Sequence, residues 1–301
     1  MDYEQTKGGW CSMITTEMLE EPQKVTWCTG CGNFGILAAL KKTIIEINEP
    51  LHNLVLVSGI GCSSKIPHYI GGINSMHSIH GRPIPFATGV HLANTDLKVL
   101  VHTGDGDCLA EGLGHFIHAA RRNVNLAVFI HNNGVNGLTK GQYSPSSPRG
   151  YVSNTSPPPP GAPMDPVNSI ALAIGAGATF VARGFSGDQK SLVALMSEAI
   201  LHKGFAVVDI LQPCVTWNRL LTWKYFNEHT YSLQENGHDV TNKLQAVEKA
   251  MENGDRYPVG VFYRSKNTNL AAGLALPDKG VLKDHKNDLK DVQKIIDDLM
   301  L

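Results

Sequence analysis

The sequence lacks the features that would place it in a membrane or on nucleic acid. Its longest nearly apolar run, about residues 170–182, is too short and too rich in glycine to span a bilayer. The 26 basic and 27 acidic residues leave a net charge of −1, so nucleic acid and anionic membranes are not expected as partners. The first residues have no basic region followed by an apolar core, so we expect no secretion signal and a cytoplasmic location.

Cysteine is scarce and mostly isolated. The chain has six cysteines, which in a cytoplasmic protein are more often thiols or metal ligands than disulfides. Cys28 and Cys31 form a C-x-x-C unit, but no second unit or close histidine pair completes the pattern of a structural zinc site. A C-x-x-C-x-x-C-x-x-x-C-P run is also missing, so further clusters of the ferredoxin type would lie on another protein.

Hydrophobic residues make up 42% of the chain, as is ordinary for a globular protein with a sizeable core. They form short continuous runs, typical of strands covered on both faces, at 54–58, 98–102, 126–130, 205–210 and 259–263. Helix-like stretches are found at 34–47, 109–122, 191–202 and 240–253, with an amphipathic helix near 284–301. This alternation predicts an α/β fold with a doubly wound, mainly parallel sheet.

One segment interrupts the pattern. Residues 144–166 hold eight of the 16 prolines, and proline fixes φ and lacks an N–H donor, so loop or polyproline II is predicted. A flexible linker between domains is the alternative, but helix and strand patterns resume after the segment. We therefore predict a single domain over 1–301, with a surface loop at 144–166 and a more polar C-terminal extension at 216–301.

Glycine-rich loops follow three of the predicted strands, and in a parallel sheet such loops meet at one edge, where ligands bind. Asp105 lies between Gly104 and Gly106 after one strand, and Asn133 follows the next. Carboxylate and amide oxygens suit Mg²⁺, and glycines let phosphates approach the backbone. With the carbonyl of Val135, this layout predicts a cation held against the diphosphate of thiamine diphosphate. A Gly-Asp-Gly alone is usually a turn, so the prediction depends on the combination.

The C-x-x-C unit has more than one interpretation. A thioredoxin-like dithiol belongs between a strand and a helix, whereas the segment before Trp27 is polar. An iron–sulfur cluster takes four thiolates, two of which can come from distant loops. Cys62 follows the first predicted strand and Cys214 follows the strand ending near 210. Both are expected at the same sheet edge as Asp105, so a cluster beside the diphosphate is the functional hypothesis.

Six motifs occur in order along the chain, namely WCTGCG at 27–32, GIGCS at 59–63, HSIHGR at 77–82, GDGD at 104–107, HFIHAARRN at 115–123 and GLTKGQ at 137–142. None is specific by itself, but the ordered set is highly specific. It resembles the β subunits of the 2-oxoacid:ferredoxin oxidoreductases over nearly the whole length of the chain.

The resemblance implies a thiamine diphosphate-binding α/β fold of the type that holds the diphosphate, and three sets of site residues. One 4Fe–4S cluster would be ligated by Cys28, Cys31, Cys62 and Cys214. Mg²⁺ would be held by Asp105, Asn133 and the Val135 carbonyl. The diphosphate site would be lined by Gly61, Cys62, Ser63, His80, Gly106, Asp107, Leu138 and Thr139, together with Gly104, Asp105 and Asn133. Lys65 and Lys140 match positions that meet the substrate carboxylate, with an ordinary surface lysine as the alternative.

The resemblance also implies a reaction, the oxidative decarboxylation of a 2-oxoacid of the pyruvate or 2-oxoglutarate type. Coenzyme A would take the acyl group, and electrons would leave through the cluster to ferredoxin. The sequence has no second copy of the fold and no obvious glutamate for the aminopyrimidine, and the resemblance places this pyrimidine half on an α-type partner subunit. The competing hypotheses are a non-redox thiamine diphosphate decarboxylase or synthase subunit and a zinc-binding or thiol-redox interaction protein.

A few residues depart from the family pattern. Asn136 stands where an aromatic residue is usual, and Asn132 stands where an acidic one is usual; neither change removes a proposed Mg²⁺ ligand. Thr29 replaces a common proline inside the C-x-x-C unit. Cys108 is interpreted as a small core residue, and Cys11 is given no role.

Overall fold

The computed structural model describes residues 13–21, 23–153, 155–252, 256–274, 293–294 and 296–298. Its strands are β1 Leu54–Ser58, β2 Asn74–His77, β3 Lys98–Gly104, β4 Leu126–Asn132, β5 Val135–Asn136, β6 Gln142–Tyr143, β7 Phe180–Phe185, β8 Phe205–Leu211, β9 Thr230–Ser232 and β10 Tyr257–Arg264. Eight of them form one sheet in the order β2-β1-β3-β4-β8-β7-β10-β9, and β5 and β6 form a small antiparallel ribbon.

The sheet is parallel from β2 through β7, and β10 joins it antiparallel to β7. The first strand, β1, has only β2 on one side, and the later strands extend the sheet on its other side. This order is that of a doubly wound α/β fold, in which parallel strands are joined by crossover helices. The predicted fold class is confirmed.

Helices cover both faces of the sheet. They are α1 Asn33–Ile47, α2 Pro83–Ala93, α3 Leu113–Arg121, α4 Ser169–Ala176, α5 Gln189–Leu201, α6 Trp223–His229, α7 Lys243–Met251 and α8 Leu270–Gly273. Apolar residues of α1 and α5 share a core with Phe129 of β4, whereas α2, α3, α4 and α7 share a second core with Val128. Burial on both faces explains why the strand runs are continuously apolar. None of the described helices is long and apolar enough to cross a membrane.

The structure corrects several predicted elements. The helix predicted over 109–122 begins as a π-type turn at Asp107–Glu111 before α3. Strands β2 and β7 and helices α2, α4 and α6 were not predicted. Residues 144–153 and 155–166 have turns and bends but no helix or named strand, as expected of the loop. The helix predicted near 284–301 falls mainly outside the described residues, and the single domain over 1–301 stays a prediction.

Candidate active site

The loops after β1, β3 and β4 surround one pocket, which we call the strand-end pocket. It is lined by Ile60, Gly61, Cys62, Ser63, His80, Gly104, Asp105, Gly106, Asp107, Asn133, Val135, Asn136, Gly137, Leu138 and Thr139. Every residue predicted for the diphosphate and Mg²⁺ sites is in this set. Parallel strand ends therefore bring together side chains from five separate stretches of sequence.

Gly106 is needed at the floor of the strand-end pocket for a steric reason. A Cβ at this position would lie 2.0 Å from the Oδ1 of Asn136. The Nδ2 of Asn136 donates to the carbonyl of Tyr143 at 3.1 Å, so this side chain cannot move away without losing a hydrogen bond. A bare backbone at Gly106 thus leaves room for Asn136, the residue that departs from the family's aromatic pattern.

Asp105 is a buried carboxylate with little compensation. It is 1% exposed, and its Oδ2 accepts one side-chain hydrogen bond, from Ser144. Burial raises its pKa to about 6, which the Ser144 hydrogen bond opposes and the nearby Asp209 reinforces. A buried carboxylate of this kind is stabilised by a bound cation, which offsets the cost of removing its charge from water.

Asn133 is held on three sides. Its Oδ1 accepts from the Val135 amide at 3.0 Å, and its Nδ2 donates to the Oε1 of Gln212 at 3.1 Å. Its own carbonyl accepts from Asn218 Nδ2 at 2.8 Å. Since a carbonyl oxygen has two lone pairs, Oδ1 keeps one for a metal ion. The amide is thus oriented by the protein before any ligand binds.

Asp107 has a different role from Asp105, although both residues follow strand β3. Its Oδ1 lies 2.6 Å from the Nδ1 of His80 and accepts from the Gly81 amide at 2.9 Å. Its Oδ2 accepts from Thr103 Oγ1 at 2.8 Å. Both carboxylate oxygens therefore have protein partners, and Asp107 anchors His80 at the rim of the strand-end pocket.

Four cysteines line a second pocket, of about 190 Å³, which we call the cysteine pocket. Cys28 and Cys31 precede α1, Cys62 follows β1, and Cys214 follows β8. The predicted convergence of Cys62 and Cys214 is therefore present. All four are free thiols, and no described group of three or more histidine, cysteine or acidic residues is already arranged as a metal site.

The remaining two cysteines stand apart from this set. Cys108 is buried, as predicted, and does not line the cysteine pocket. Cys11 lies outside the described residues. The part of the chain that the structure describes thus groups the same four cysteines that the resemblance implies.

Burial sets the chemistry of the cysteine pocket. It raises the pKa of Cys31 to about 11, with smaller contributions from the neighbouring Cys214, Cys62 and Cys28. It also raises the pKa of Cys62, against the opposing charge of Lys65. These two thiols stay protonated at neutral pH unless a metal ion replaces their protons.

The two pockets share a wall. Cys62, Asn133, Gly137 and Leu138 line both of them. A Cβ on Gly137 would lie 3.8 Å from the Sγ atoms of both Cys62 and Cys214. A side chain at residue 137 would therefore begin in van der Waals contact with both sulfurs.

The two predicted lysines are placed differently. Lys65 lines the cysteine pocket, and its Nζ donates to Thr26 Oγ1 at 3.1 Å. Lys140 lines neither pocket; it is exposed, with a left-handed φ of 75°, and borders a separate cleft with Arg219 and Trp217. The structure brings one of the two beside the predicted cluster ligands.

Sequence reasoning missed two residues that the structure places at these pockets. Ser144 donates to Asp105 from the start of the proline-rich loop, a position with no local signal. Gln212 contacts both Asn133 and Cys31, and its one signal in the sequence is that it comes just before Pro213 and Cys214.

Comparison with known proteins identifies the family of the chain. A family model described as the C-terminal TPP-binding domain of thiamine pyrophosphate enzymes matches residues 59–210, and one for the C-terminal part of the pyruvate ferredoxin oxidoreductase beta subunit matches 214–273. The 2-oxoacid:ferredoxin oxidoreductase subunit beta of Saccharolobus solfataricus is 48% identical over 251 residues, which cover 80% of this chain and 82% of the relative. Subunit beta of the Aeropyrum pernix 2-oxoacid:ferredoxin oxidoreductase 1 is 49% identical over 247 residues, with 79% and 77% covered.

The chain belongs to the 2-oxoacid:ferredoxin oxidoreductase β subunits. As a member of this family it is a subunit of an oxidoreductase, as the motifs indicated. A solved structure is also similar, that of the 2-oxoglutarate:ferredoxin oxidoreductase from Magnetococcus marinus with 2-oxoglutarate, coenzyme A and succinyl-CoA bound. It superimposes with a TM-score of 0.84 at 36% identity and covers 88% of this chain and 89% of that one.

Proposed function

We propose that this β subunit holds thiamine diphosphate through Mg²⁺ in the strand-end pocket and one 4Fe–4S cluster in the cysteine pocket. With its partner subunit it carries out the oxidative decarboxylation of a 2-oxoacid to an acyl-CoA and carbon dioxide. This reaction releases two electrons and one proton, and the electrons pass to ferredoxin.

One observation carries the proposal, namely that the two pockets are neighbours with a common wall. Cys62 and Asn133 each line both of them. A thiamine enzyme without redox chemistry needs Asp105 and Asn133 but has no use for four converging cysteines. The shared wall would put an electron acceptor directly beside the cofactor, which favours the redox reaction.

The residues present fit thiamine diphosphate and Mg²⁺. Asp105, Asn133 and the Val135 carbonyl would hold the cation, while Gly61, Ser63, His80, Gly104, Gly106, Asp107, Leu138 and Thr139 would surround the diphosphate. The buried carboxylate of Asp105, whose pKa stays raised despite its hydrogen bonds, is the feature that a cation would satisfy. Bound there, the cofactor would supply the electron sink that decarboxylation requires.

The residues also fit an iron–sulfur cluster, because four thiols around one pocket form the donor set that such a cluster takes. Cys28, Cys31, Cys62 and Cys214 would each give up a proton and bind one iron. Gly137 lies beside two of them, Cys62 and Cys214. Bound there, the cluster would supply a one-electron acceptor.

Lys65 is our candidate for the substrate carboxylate. It lies three positions after Cys62 in the lining of the cysteine pocket, and among the described residues its ammonium group has one hydrogen-bond partner, the Thr26 hydroxyl. A carboxylate would replace a hydrogen bond in which only the donor is charged with an ion pair in which both partners are charged, which is stronger. Lys140 stays a weaker candidate because it borders another cleft.

A partner subunit is expected to complete the site. The described lining of the strand-end pocket contains no glutamate for the aminopyrimidine. Large apolar side chains are exposed at its mouth, namely Ile60, Leu138 and the neighbouring Ile79. Exposed apolar clusters of this kind usually mark an interface, so we propose that an α-type subunit with the pyrimidine-binding half covers this mouth.

Anaerobic purification of the chain with its partner tests the proposal. We expect a brown complex with about four irons per β chain, together with bound thiamine diphosphate and Mg²⁺. Activity should depend on both a 2-oxoacid and coenzyme A, with a one-electron dye as acceptor. A panel of 2-oxoacids would then identify the substrate.

The alternatives predict other outcomes. A colourless complex that binds thiamine diphosphate would contradict the proposal and favour a non-redox decarboxylase or synthase. Zinc in place of iron, without diphosphate binding, would instead favour a zinc-binding or thiol-redox interaction protein.

A further inference from the structure

Gln212 lines the cysteine pocket and contacts one proposed ligand of each metal site. Its side chain is 1% exposed. Its Oε1 accepts from the Nδ2 of Asn133 at 3.1 Å, and its Nε2 donates to the Sγ of Cys31 at 3.3 Å. A single buried amide therefore joins a residue of the proposed Mg²⁺ site to a residue of the proposed cluster site.

The donor and acceptor of each hydrogen bond can be assigned by starting from the Val135 amide. The Val135 amide can only donate, so the atom of Asn133 that faces it is the oxygen. The other end of the Asn133 amide is then a donor and must face the oxygen of Gln212. This leaves the Gln212 nitrogen to donate to Cys31, which suits a sulfur that becomes a thiolate.

The backbone holds Gln212 firmly in this position. The backbone N–H of Gln212 donates to the carbonyl of Asn132 at 2.8 Å. The carbonyl of the next residue, Pro213, accepts from the Gly32 amide at 3.0 Å. A Cβ on Gly32 would lie 2.7 Å from the Gln212 Cγ, so the two loops pack in direct contact. The side chain therefore does not need to reorganise to reach both partners.

We propose that Gln212 is a positioning residue that couples the two sites, by tuning the reduction potential of the cluster at Cys31 and by orienting Asn133 toward the cation. The inference rests on the proposed function. An N–H donor to a ligand sulfur stabilises the additional negative charge of a reduced cluster, so it raises the reduction potential. The hydrogen bond to Oε1 restrains the Asn133 amide from rotating away from the cation.

Two variants separate these effects. Gln212→Leu removes both the donor and the acceptor, whereas an ionised glutamate in Gln212→Glu keeps an acceptor for Asn133 and loses the donor. Gln189→Leu is the control, because Gln189 donates to the carbonyls of Gly35 and Ser186 beside α1 and has no hydrogen bond to a cysteine.

The measurements are made on the anaerobic complex with its partner subunit. Potentiometric titration followed by electron paramagnetic resonance gives the cluster potential, and calorimetry with Mg²⁺ gives the affinity for thiamine diphosphate. We expect a more negative potential in both Gln212 variants, with glutamate lowest because of its charge. We also expect several-fold weaker cofactor binding in Gln212→Leu than in Gln212→Glu. The Gln189→Leu complex should match the wild type in both.

Equal potentials in the wild type and both Gln212 variants would overturn the inference while leaving the proposed function intact. Loss of the cluster from both variants, with the Gln189→Leu complex intact, would also overturn it, because Gln212 would then serve assembly rather than tuning. A wild-type complex without iron would instead refute the proposed function itself.

Discussion

The strand-end pocket and the cysteine pocket share a wall but are organised differently. In the strand-end pocket, Asn133 and Asp107 already have hydrogen-bond partners that fix their orientation. In the cysteine pocket, the thiols come from three loops, and burial raises the pKa of Cys31 and Cys62. Hydrogen bonds thus preorganise the first site, whereas the thiols of the second keep their protons unless a metal ion replaces them. In the proposed function, this difference predicts that cluster and cofactor binding can be lost separately.

Cys214→Ser should have the largest effect. Removal of one of four thiolates is expected to reduce iron from about four per chain to below about one, since a 4Fe–4S cluster takes four thiolate ligands. Electron transfer to a dye should fall with it, while thiamine diphosphate binding persists. Iron analysis and calorimetry on the same sample check both parts. Cys108→Ala is the control, because Cys108 lines neither pocket. Loss of cofactor binding along with the iron would contradict the separation of the two sites.

Asp105→Asn tests the converse, namely that cofactor binding can be lost while the cluster is kept. The amide keeps an oxygen but loses the charge that compensates Mg²⁺, so affinity for thiamine diphosphate should fall by at least about 100-fold. Iron content should be unchanged. The matched control is Asp188→Asn, because Asp188 caps helix α5 and lines neither pocket. The separation would not hold if the Asp105 variant also lost its cluster.

The variants Lys65→Gln and Lys140→Gln are compared as a pair, and their expected effects are smaller than those of the cysteine and aspartate variants. Loss of a charge-assisted bond to a carboxylate costs about 1.5–3 kcal/mol, so the Lys65 variant should raise the KM for the 2-oxoacid by about 10-fold or more. The Lys140 variant should change it less, since that residue borders a different cleft. Steady-state kinetics with saturating coenzyme A measure the difference. A larger KM change in the Lys140 variant would assign the substrate carboxylate to the other side of Trp217.

The last prediction concerns stability rather than binding, at the buried contact between strand β4 and the start of helix α1. His131 lies 2.7 Å from Asn33 Oδ1 and 2.9 Å from His102 Nδ1, and burial lowers its pKa to about 3. The folded protein therefore holds His131 neutral, while the unfolded chain takes up a proton below about pH 6.5. Stability from this group is present above that pH and is lost as pH falls toward 3, by up to about 1.4 kcal/mol per pH unit.

In His131→Gln this loss should be shallower between pH 6.5 and 4 than in the wild type. Denaturant unfolding at a series of pH values measures the slope. The exposed His52 supplies the control variant, His52→Gln, which should keep the wild-type slope. Equal slopes in all three proteins would mean that the buried histidines do not govern acid stability.

Much of this architecture was readable in the sequence. The apolar runs of β1, β3, β4 and β8 predicted parallel strands, because both faces of the sheet are covered. Strand β7 was missed since Arg183 and Gly184 interrupt its run, and Arg183 is buried only because Asp209 lies beside it in register. Helix α2 was missed because it contains two prolines and a glycine, which lower helix propensity.

The site residues also divide into those that the sequence predicted and those that it did not. The glycine-flanked Asp105 and the strand-end position of Asn133 are local patterns, and both were predicted. Gln212 and Ser144 have no such pattern. Gln212 contacts Asn133, which is 79 positions away along the chain, and Ser144 contacts Asp105, which is 39 positions away. Only the folded structure brings these residues together.

Electron paramagnetic resonance of the anaerobic complex, before and after addition of its 2-oxoacid without ferredoxin, tests the central claim most directly. The two pockets are neighbours, so we expect a reduced iron–sulfur signal to appear on addition in the wild type. It should be absent in both Asp105→Asn and Cys214→Ser. Carbon dioxide release by the wild type without any such signal would contradict the account.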